Sequence, residues 1–112
     1  EYGGIFLMID AQGKTPESPH WDKKLWWPHT EALYGLLLTE QLTGEAWCRS
    51  WYEKVHQWSF DHFGMPSVGE WRQRLDRTGQ PITELIALPV KDPFHLPRTA
   101  ILSMELLRSN ES

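Results

Sequence analysis

Two proline-containing segments of the chain carry charged or titratable side chains close to an expected helix start. Pro28 is followed by Glu31, and Pro97 lies between His95 and Arg98. Proline is favoured at the first helical position, because its missing N–H would have no partner there anyway. We therefore predict that a helix begins at each proline. Glu31 would lie in the first turn of its helix, His95 just before the second helix, and Arg98 just inside it.

These three side chains suit acid–base chemistry beside a helix start. Imidazole titrates near neutral pH, so His95 is a candidate general acid or base. Helix starts present free N–H groups and a positive dipole end, which suit a polar ligand or a developing enolate oxygen. A plain structural role is the alternative, because a first-turn Glu such as Glu31 commonly caps its helix. A lone Arg such as Arg98 is more often a surface group, and spacing alone leaves both interpretations open.

The other reactive residue types do not form a known catalytic pattern. A zinc site needs three or four converging ligands, and the remaining histidines lack that spacing relative to Cys48 or to nearby carboxylates. These histidines include His29, His56 and His62. Gly3-Gly4 fits neither the dinucleotide-binding pattern nor the phosphate-binding loop. We therefore expect no metal and no cofactor.

Composition excludes several classes of protein. The 112 residues fit one small domain, and 40% apolar with 23% charged residues is ordinary for a globular protein. No apolar run approaches the roughly 18 residues of a membrane span. A net charge of -4 argues against nucleic acid as the main partner. Because Cys48 is the single cysteine, a disulfide framework is excluded, and we expect a reducing, cytoplasmic location.

Tryptophan is unusually abundant, with seven copies in the chain. Indole faces often stack on the C–H faces of sugars, so this abundance favours a carbohydrate ligand. Core packing is the alternative, because each Trp buries a large area, and we expect roughly four or five of them to be mainly core. In particular, we interpret Trp47, Trp51 and Trp58 as a core stripe.

Hydrophobic spacing predicts a mainly helical chain. Residues 5–10 form a short apolar run that suits a buried strand. A first helix is expected from Trp26-Trp27-Pro28 to Thr43, with Gly44 as a left-handed cap. A second helix is expected from about Glu45 to Phe63. Its apolar stripe would comprise Trp47, Trp51, Val55, Trp58 and His62.

The remainder of the chain predicts a hairpin and a third helix. Residues 70–75 alternate as a strand does, and residues 82–88 would pair back onto them across the turn 76–79. The third helix would begin at Pro97 and bury one apolar face. That face would consist of Ala100, Ile101, Met104 and Leu107. Three helices with one or two hairpins make a thin core, which favours a piece of a larger helical assembly.

Four segments together resemble successive motifs of the N-acylglucosamine 2-epimerase family, in their order and in their spacing. They are EYGGIF at residues 1–6, KLWWPHTEAL at 24–33, GEW at 69–71 and FHLPR at 94–98. The second and fourth are the most specific when taken together. The resemblance extends over nearly the whole chain, to about Leu107.

The resemblance implies an (α/α)6 barrel, with inner and outer helices and a site at one mouth. This chain would then be mainly α, forming the C-terminal part of that barrel with one or two short β-hairpins. Residues 1–112 would belong to one barrel domain without an internal boundary. The helices that begin at Pro28 and Pro97 would be inner helices, and the helix over residues 45–63 an outer one.

The resemblance also implies a reaction and a role for each candidate residue. In this family a base removes the C2 proton of a ring-opened sugar, giving an enediolate, and for epimerisation a second acid returns a proton to the opposite face. His95 would be one of two acid/base histidines, and Glu31 would hold the sugar or orient a histidine. Trp26 and Trp27 would form an aromatic wall, and Arg98 a polar support. The partner would be a small sugar.

Two departures from the family pattern leave the substrate open. Val90 occupies a position where many members carry an aromatic residue, and Asp92 replaces a frequent glycine. The chain starts at Glu1 without a Met, which we interpret as the interior of a longer protein. The second histidine of the family and an arginine would precede Glu1. We therefore expect an enzyme as the parent protein and an inactive isolated chain.

Two other functions compete with the epimerase interpretation. A non-catalytic helical module would use its uncovered apolar faces to associate, for example as a homodimer. A carbohydrate-binding module is favoured by the tryptophans alone.

Overall fold

Three α-helices supply most of the regular structure in this computed structural model, which describes residues 1–86 and 89–111. They are α1 over Trp26–Thr43, α2 over Ala46–His62 and α3 over His95–Asn110. The three helices predicted from the sequence are therefore confirmed. Within the described residues, no helix is both long enough and apolar enough to cross a membrane.

Helices α1 and α2 form an antiparallel hairpin. Gly44 has a φ of 71° and donates its N–H to the carbonyl oxygen of Glu40, which confirms the predicted left-handed cap. Arg49, near the start of α2, forms an ion pair of 2.6 Å with Glu40, near the end of α1. The buried face of α1 follows helical spacing, because it consists of Trp26, His29, Thr30, Leu33 and Leu37.

Both prolines lie inside their helices instead of opening them. Helix α1 begins at Trp26, two residues before Pro28, and α3 begins at His95, two residues before Pro97. A proline is still tolerated there, because no N–H in the first turn has an intrahelical partner. The predicted position of Glu31 in the first turn is therefore wrong, since it lies in the second turn. His95 is the first residue of α3 and does not precede it.

Among the described residues, the strands are four pairs of residues, and the predicted hairpin is present only in part. They are β1 over Lys24–Leu25, β2 over Gly64–Met65, β3 over Glu70–Trp71 and β4 over Arg74–Leu75. Strand β1 pairs antiparallel with β4, and β2 pairs antiparallel with β3. Of the predicted partner over residues 82–88, positions 87 and 88 lie outside the described residues. The chain does turn back after β4, because Pro81 makes an isolated antiparallel bridge to Leu75 and the Ile82 N–H donates to the carbonyl oxygen of Arg74 at 3.4 Å.

The apolar run over residues 5–10 is not a strand, which corrects the prediction. Two backbone hydrogen bonds join it to the loop that precedes β1, from Leu7 N to Lys23 O and from Met8 N to Trp21 O. Ile9 is 85% exposed. The run therefore lies across a loop, and only part of its apolar surface is buried.

The core fills the space between α1, α2 and the two strand pairs. Phe63 and Leu75 are fully buried, and the Phe63 ring stacks on Trp71 with centroids 5.8 Å apart. The buried cluster comprises Leu25, Trp26, Leu33, Val55, Phe63, Trp71, Leu75 and Ile86.

Two helix faces that were predicted to be buried are exposed in this chain. On α2, Trp47 and Trp51 are 52% and 53% exposed, so the interpretation of the tryptophan stripe as core is wrong at these two positions. On α3, Ile101 and Met104 are also exposed, and the helix buries only Thr99 among its described residues. Both faces lack a covering element within residues 1–86 and 89–111.

Trp58 is the platform on which the N-terminal segment lies. Its Nε1 donates a hydrogen bond of 2.7 Å to the carbonyl oxygen of Tyr2. Gly3 and Gly4 have φ values of 72° and 75°, and they lie directly on the indole. A Cβ on Gly3 would be 2.5 Å from Trp58 Cδ1, so this close approach requires glycine. On the same indole, the His62 ring stacks with centroids 4.2 Å apart.

Buried His29 joins the N-terminal segment to α1. Its Nε2 accepts a hydrogen bond of 2.9 Å from the Ile5 N–H, and its Nδ1 lies 2.6 Å from the carbonyl oxygen of Leu25. Because Nε2 accepts, Nδ1 must carry the proton and donate. Burial lowers the pKa of His29 to about 4, so the ring is neutral near pH 7.

Lys24 is buried as well and connects the same segment to the turn after β4. Its Nζ donates to the carbonyl oxygens of Gly3 and Arg77, the latter at 2.7 Å. The ammonium group also lies 4.7 Å from the centroid of the Trp58 ring. Desolvation, followed by the charge of Arg77, lowers the pKa of Lys24.

Candidate active site

Helices α1 and α3 meet near their N-terminal ends, and four of the five predicted site residues come together there: Glu31, His95 and Arg98 through hydrogen bonds, and Trp27 through ring contact. His95 Nδ1 lies 2.8 Å from Glu31 Oε1. Arg98 Nη1 donates to Oε1 and Oε2 of the same carboxylate at 3.0 Å and 3.1 Å. One carboxylate on α1 therefore holds a histidine and an arginine on α3, across more than sixty residues of sequence.

The contact with Glu31 fixes the orientation of the His95 ring. A carboxylate can only accept a hydrogen bond, so the proton lies on Nδ1 and the lone pair of Nε2 is left for a base role. The His95 side chain is 27% exposed and that of Glu31 is 31% exposed. A small molecule can therefore reach this pair from solvent, while the pair is partly shielded by the protein.

Aromatic rings surround the imidazole. Trp27 lies with its ring centroid 5.2 Å from that of His95, and Phe94 lies edge-on at 5.2 Å. Trp27 is 37% exposed, so it offers a free indole surface beside the histidine. Trp26, which was predicted to share this wall, is only 6% exposed and belongs to the core. Because its indole is buried, Trp26 offers no open face on which a sugar could stack in this chain.

Tyr34 is a neighbour of the site that the sequence reasoning missed. The Arg98 guanidinium lies 5.8 Å from the Tyr34 ring centroid and 5.1 Å from that of Phe94. Tyr34 follows Glu31 by three residues, and residues three apart share one face of a helix. That spacing was the signal that could have identified it.

Two of the backbone N–H groups at the start of α3 already have a partner. Asp92 Oδ1 accepts from the Phe94 N–H at 2.8 Å and from the His95 N–H at 3.1 Å, and Pro97 has no N–H. The expectation that these groups would serve a ligand is therefore wrong for both N–H groups. Desolvation alone would raise the pKa of Asp92, but the hydrogen bonds from Phe94 and His95 outweigh it and lower that pKa.

The histidines of α2 lie in aromatic packing and not at this site. His56 stacks on Phe60 with centroids 4.4 Å apart, and His62 stacks on Trp58. Across the described part of the chain, no group of three His, Cys, Asp or Glu side chains is placed to hold a metal ion.

Comparison with known proteins places the chain in a family. The sequence model of the N-acylglucosamine 2-epimerase (GlcNAc 2-epimerase) family matches residues 1–96. The N-acylglucosamine 2-epimerase of Bos taurus is 35% identical over 109 residues, which are 97% of this chain and 26% of that protein. The Homo sapiens protein of the same name is 33% identical over 107 residues, covering 96% of this chain and 25% of its own length.

A solved structure supports the fold. The cellobiose 2-epimerase of Spirochaeta thermophila superimposes with a TM-score of 0.69 at 22% identity, over 80% of this chain and 23% of that one. The described helices and short strand pairs therefore form part of an (α/α)6 barrel, as predicted. The chain spans about a quarter of the length of the relatives that it matches. Taken with the match over residues 1–96, these similarities establish that the chain belongs to the N-acylglucosamine 2-epimerase family.

Proposed function

We propose that this chain supplies one half of the active site of a sugar 2-epimerase or isomerase. The substrate would be N-acylglucosamine, N-acylmannosamine or a related aldose. The observation that carries the proposal is the Glu31 carboxylate, which orients His95 through Nδ1 and binds Arg98 at the same time. The names of the relatives support the sugar class of the substrate.

In the proposed reaction, Nε2 of His95 removes the C2 proton of the open-chain sugar. The C2–H bond breaks, its electron pair forms the C1–C2 double bond, and the carbonyl oxygen becomes an oxyanion. Arg98 stabilises that oxygen, because its positive charge attracts the developing negative charge. The N–H groups of Phe94 and His95 do not take this role, since both are bound to Asp92. Glu31 stabilises the imidazolium that forms, and Trp27 packs against the sugar.

A second acid must return the proton to the opposite face of C2. Within residues 1–86 and 89–111, no other histidine contacts the cluster of Glu31, His95 and Arg98. We infer that the second group lies in another part of the protein, since this chain spans about a quarter of its relatives. The activity then belongs to the complete protein, and the chain by itself is inactive.

The test follows exchange at C2 in the complete protein that carries this chain. With N-acetylmannosamine in D2O, proton NMR should show loss of the C2 proton and appearance of the 2-epimer. His95→Asn should slow this exchange by about 10³-fold, because a positioned base contributes 10²- to 10⁴-fold. His56→Asn is the matched control and should exchange at the normal rate. If His95→Asn exchanges the C2 proton as fast as the unmutated protein, the assignment of His95 as the base is refuted.

An interaction module remains a second candidate, because Trp47 and Trp51 expose large apolar surfaces on α2. The barrel interpretation expects other helices of the same protein to cover this face. Sedimentation of the isolated chain separates the two candidates. A defined homodimer that dissociates after Trp51→Ser would favour the module, and a compact monomer would contradict it.

A further inference from the structure

The residues just before α3 hold the start of that helix from two sides. Lys91 Nζ donates to the carbonyl oxygen of Trp71 at 2.9 Å and also pairs with Glu70. Asp92 accepts the backbone N–H groups of Phe94 and His95. Through these contacts, the first residue of α3 is connected to β3.

Apolar burial near this point is limited to Leu96, which is partly buried against the core cluster. Among the described residues of the helix, Thr99 is buried, while Phe94 is 57% and Ile101 58% exposed. The Trp71 carbonyl belongs to a residue of the core cluster, so the contact from Lys91 joins the segment before α3 to the core. The polar contacts of Lys91 and Asp92 therefore act together with the packing of Leu96 to fix the start of the helix.

We propose that Asp92, anchored by Lys91, is a positioning residue that places the His95 imidazole against Glu31. This inference rests on the proposed function, and it assigns a role to a side chain that replaces a frequent glycine of the family. Asp92 acts through the backbone of His95 and does not contact the sugar. Its capping oxygen, more than its charge, is the part that matters.

The geometry explains why small movements would matter. The backbone N–H of His95 is bound to Asp92, and its side-chain Nδ1 is bound to Glu31 on another helix. Without the cap, the first turn of α3 can fray, and His95 is the first residue to move. A displacement of about 1 Å at a catalytic group can cost about 10²-fold in rate.

The experiment compares Asp92→Ala with Asp92→Asn in the complete protein. Asparagine keeps a capping oxygen and loses the charge, whereas alanine loses both. Asp92→Ala should lower kcat for C2 exchange at least about tenfold with KM nearly unchanged, and Asp92→Asn should restore most of it. Asp10→Ala is the matched control, because Asp10 Oδ1 also accepts two backbone N–H groups, from Gln12 and Lys14, in an N-terminal loop.

A second measurement does not depend on the sugar chemistry. Long-range 1H–15N spectra identify which ring nitrogen of His95 is protonated. The unmutated protein should show the Nδ1–H form of His95. Asp92→Ala should show a mixture of the two tautomers while keeping its helical circular dichroism. A role confined to stability would lower the melting temperature and leave the tautomer unchanged.

The outcomes separate this inference from the proposed function. If the parent protein shows no exchange but its tautomer responds to Asp92→Ala, the proposed function fails and the positioning role stands. If Asp92→Ala leaves both kcat and the tautomer unchanged, the positioning role is overturned. If Asp92→Asn is as impaired as Asp92→Ala, the charge is responsible, and the capping argument is overturned.

Discussion

The buried histidine of α1 should make the stability of the protein depend on pH. In the folded state the pKa of His29 is about 4, against an ordinary value of 6.5, because burial disfavours the charged ring. At about 1.4 kcal/mol per pH unit, this difference corresponds to about 3 kcal/mol. The unfolded chain binds the proton more readily, so acid favours unfolding.

The sign and the range of pH follow from the two pKa values. Above pH 6.5 the ring is neutral in both states, and the contribution of His29 to stability is fully present. As the pH falls from 6.5 through about 4, the contribution is lost, and about 2.5 kcal/mol should be gone by pH 4.5. Protonation would also force Nε2 to give up the hydrogen bond from Ile5.

The assay measures the free energy of unfolding in urea at pH 7 and at pH 4.5, for the unmutated protein and for His29→Asn. Asparagine can still donate to the carbonyl oxygen of Leu25 but leaves the Ile5 N–H without its acceptor, so the variant should lose about 2 kcal/mol at pH 7. Its further loss on acidification should be smaller than that of the parent by about 2.5 kcal/mol. Equal losses on acidification in the two proteins would refute the assignment of this pH dependence to His29.

Three further predictions concern packing and the site. Gly3→Ala should lower the free energy of unfolding, measured by heat or urea, by about 3 kcal/mol, because it adds a clash with Trp58 to the backbone strain. Gly13→Ala is the control and should cost only about 1 kcal/mol. Gly13 has a φ of 77°, but no described atom lies within 4 Å of the added Cβ. Phe63→Ala should cost about 4 kcal/mol, because that ring is fully buried, and equal stability to the parent would contradict the core described above. Glu31→Gln should lower kcat for C2 exchange at least about 10²-fold with little change in KM, and unaltered kcat would contradict the orienting role.

Local sequence signals predicted the helices well. Gly44 ends α1 because a left-handed cap is encoded by the residue itself, and the spacing of Leu33 and Leu37 marks the buried face. Both signals depend on neighbours within a few residues. The family resemblance implies that α1 and α3 are inner helices of one barrel, but the hydrogen bonds that join Glu31 to His95 and Arg98 depend on the tertiary fold.

Tertiary contacts decided the features that the sequence did not predict. Strands of two residues carry too little alternation to indicate a partner, so the pairing of β4 with β1, about fifty residues earlier, was not predicted, although the bridge from Leu75 to Pro81 follows the predicted hairpin. The stripe through Trp47 and Trp51 is apolar, but apolar periodicity shows which face needs cover without showing where that cover is. In this chain the covering element is not among the described residues.

The docking of residues 1–5 on the helical hairpin also bears on the order of folding. Trp58 lies 56 residues beyond Tyr2, whereas α1 and α2 are joined by a short turn. Local contacts form early, because closing a long loop costs chain entropy before its contacts are gained. We therefore expect the α1–α2 hairpin to form first and the N-terminal segment to pack onto its surface afterwards. Stopped-flow kinetics of Gly3→Ala should then show faster unfolding with nearly normal refolding, and a slowed refolding rate would reverse this order.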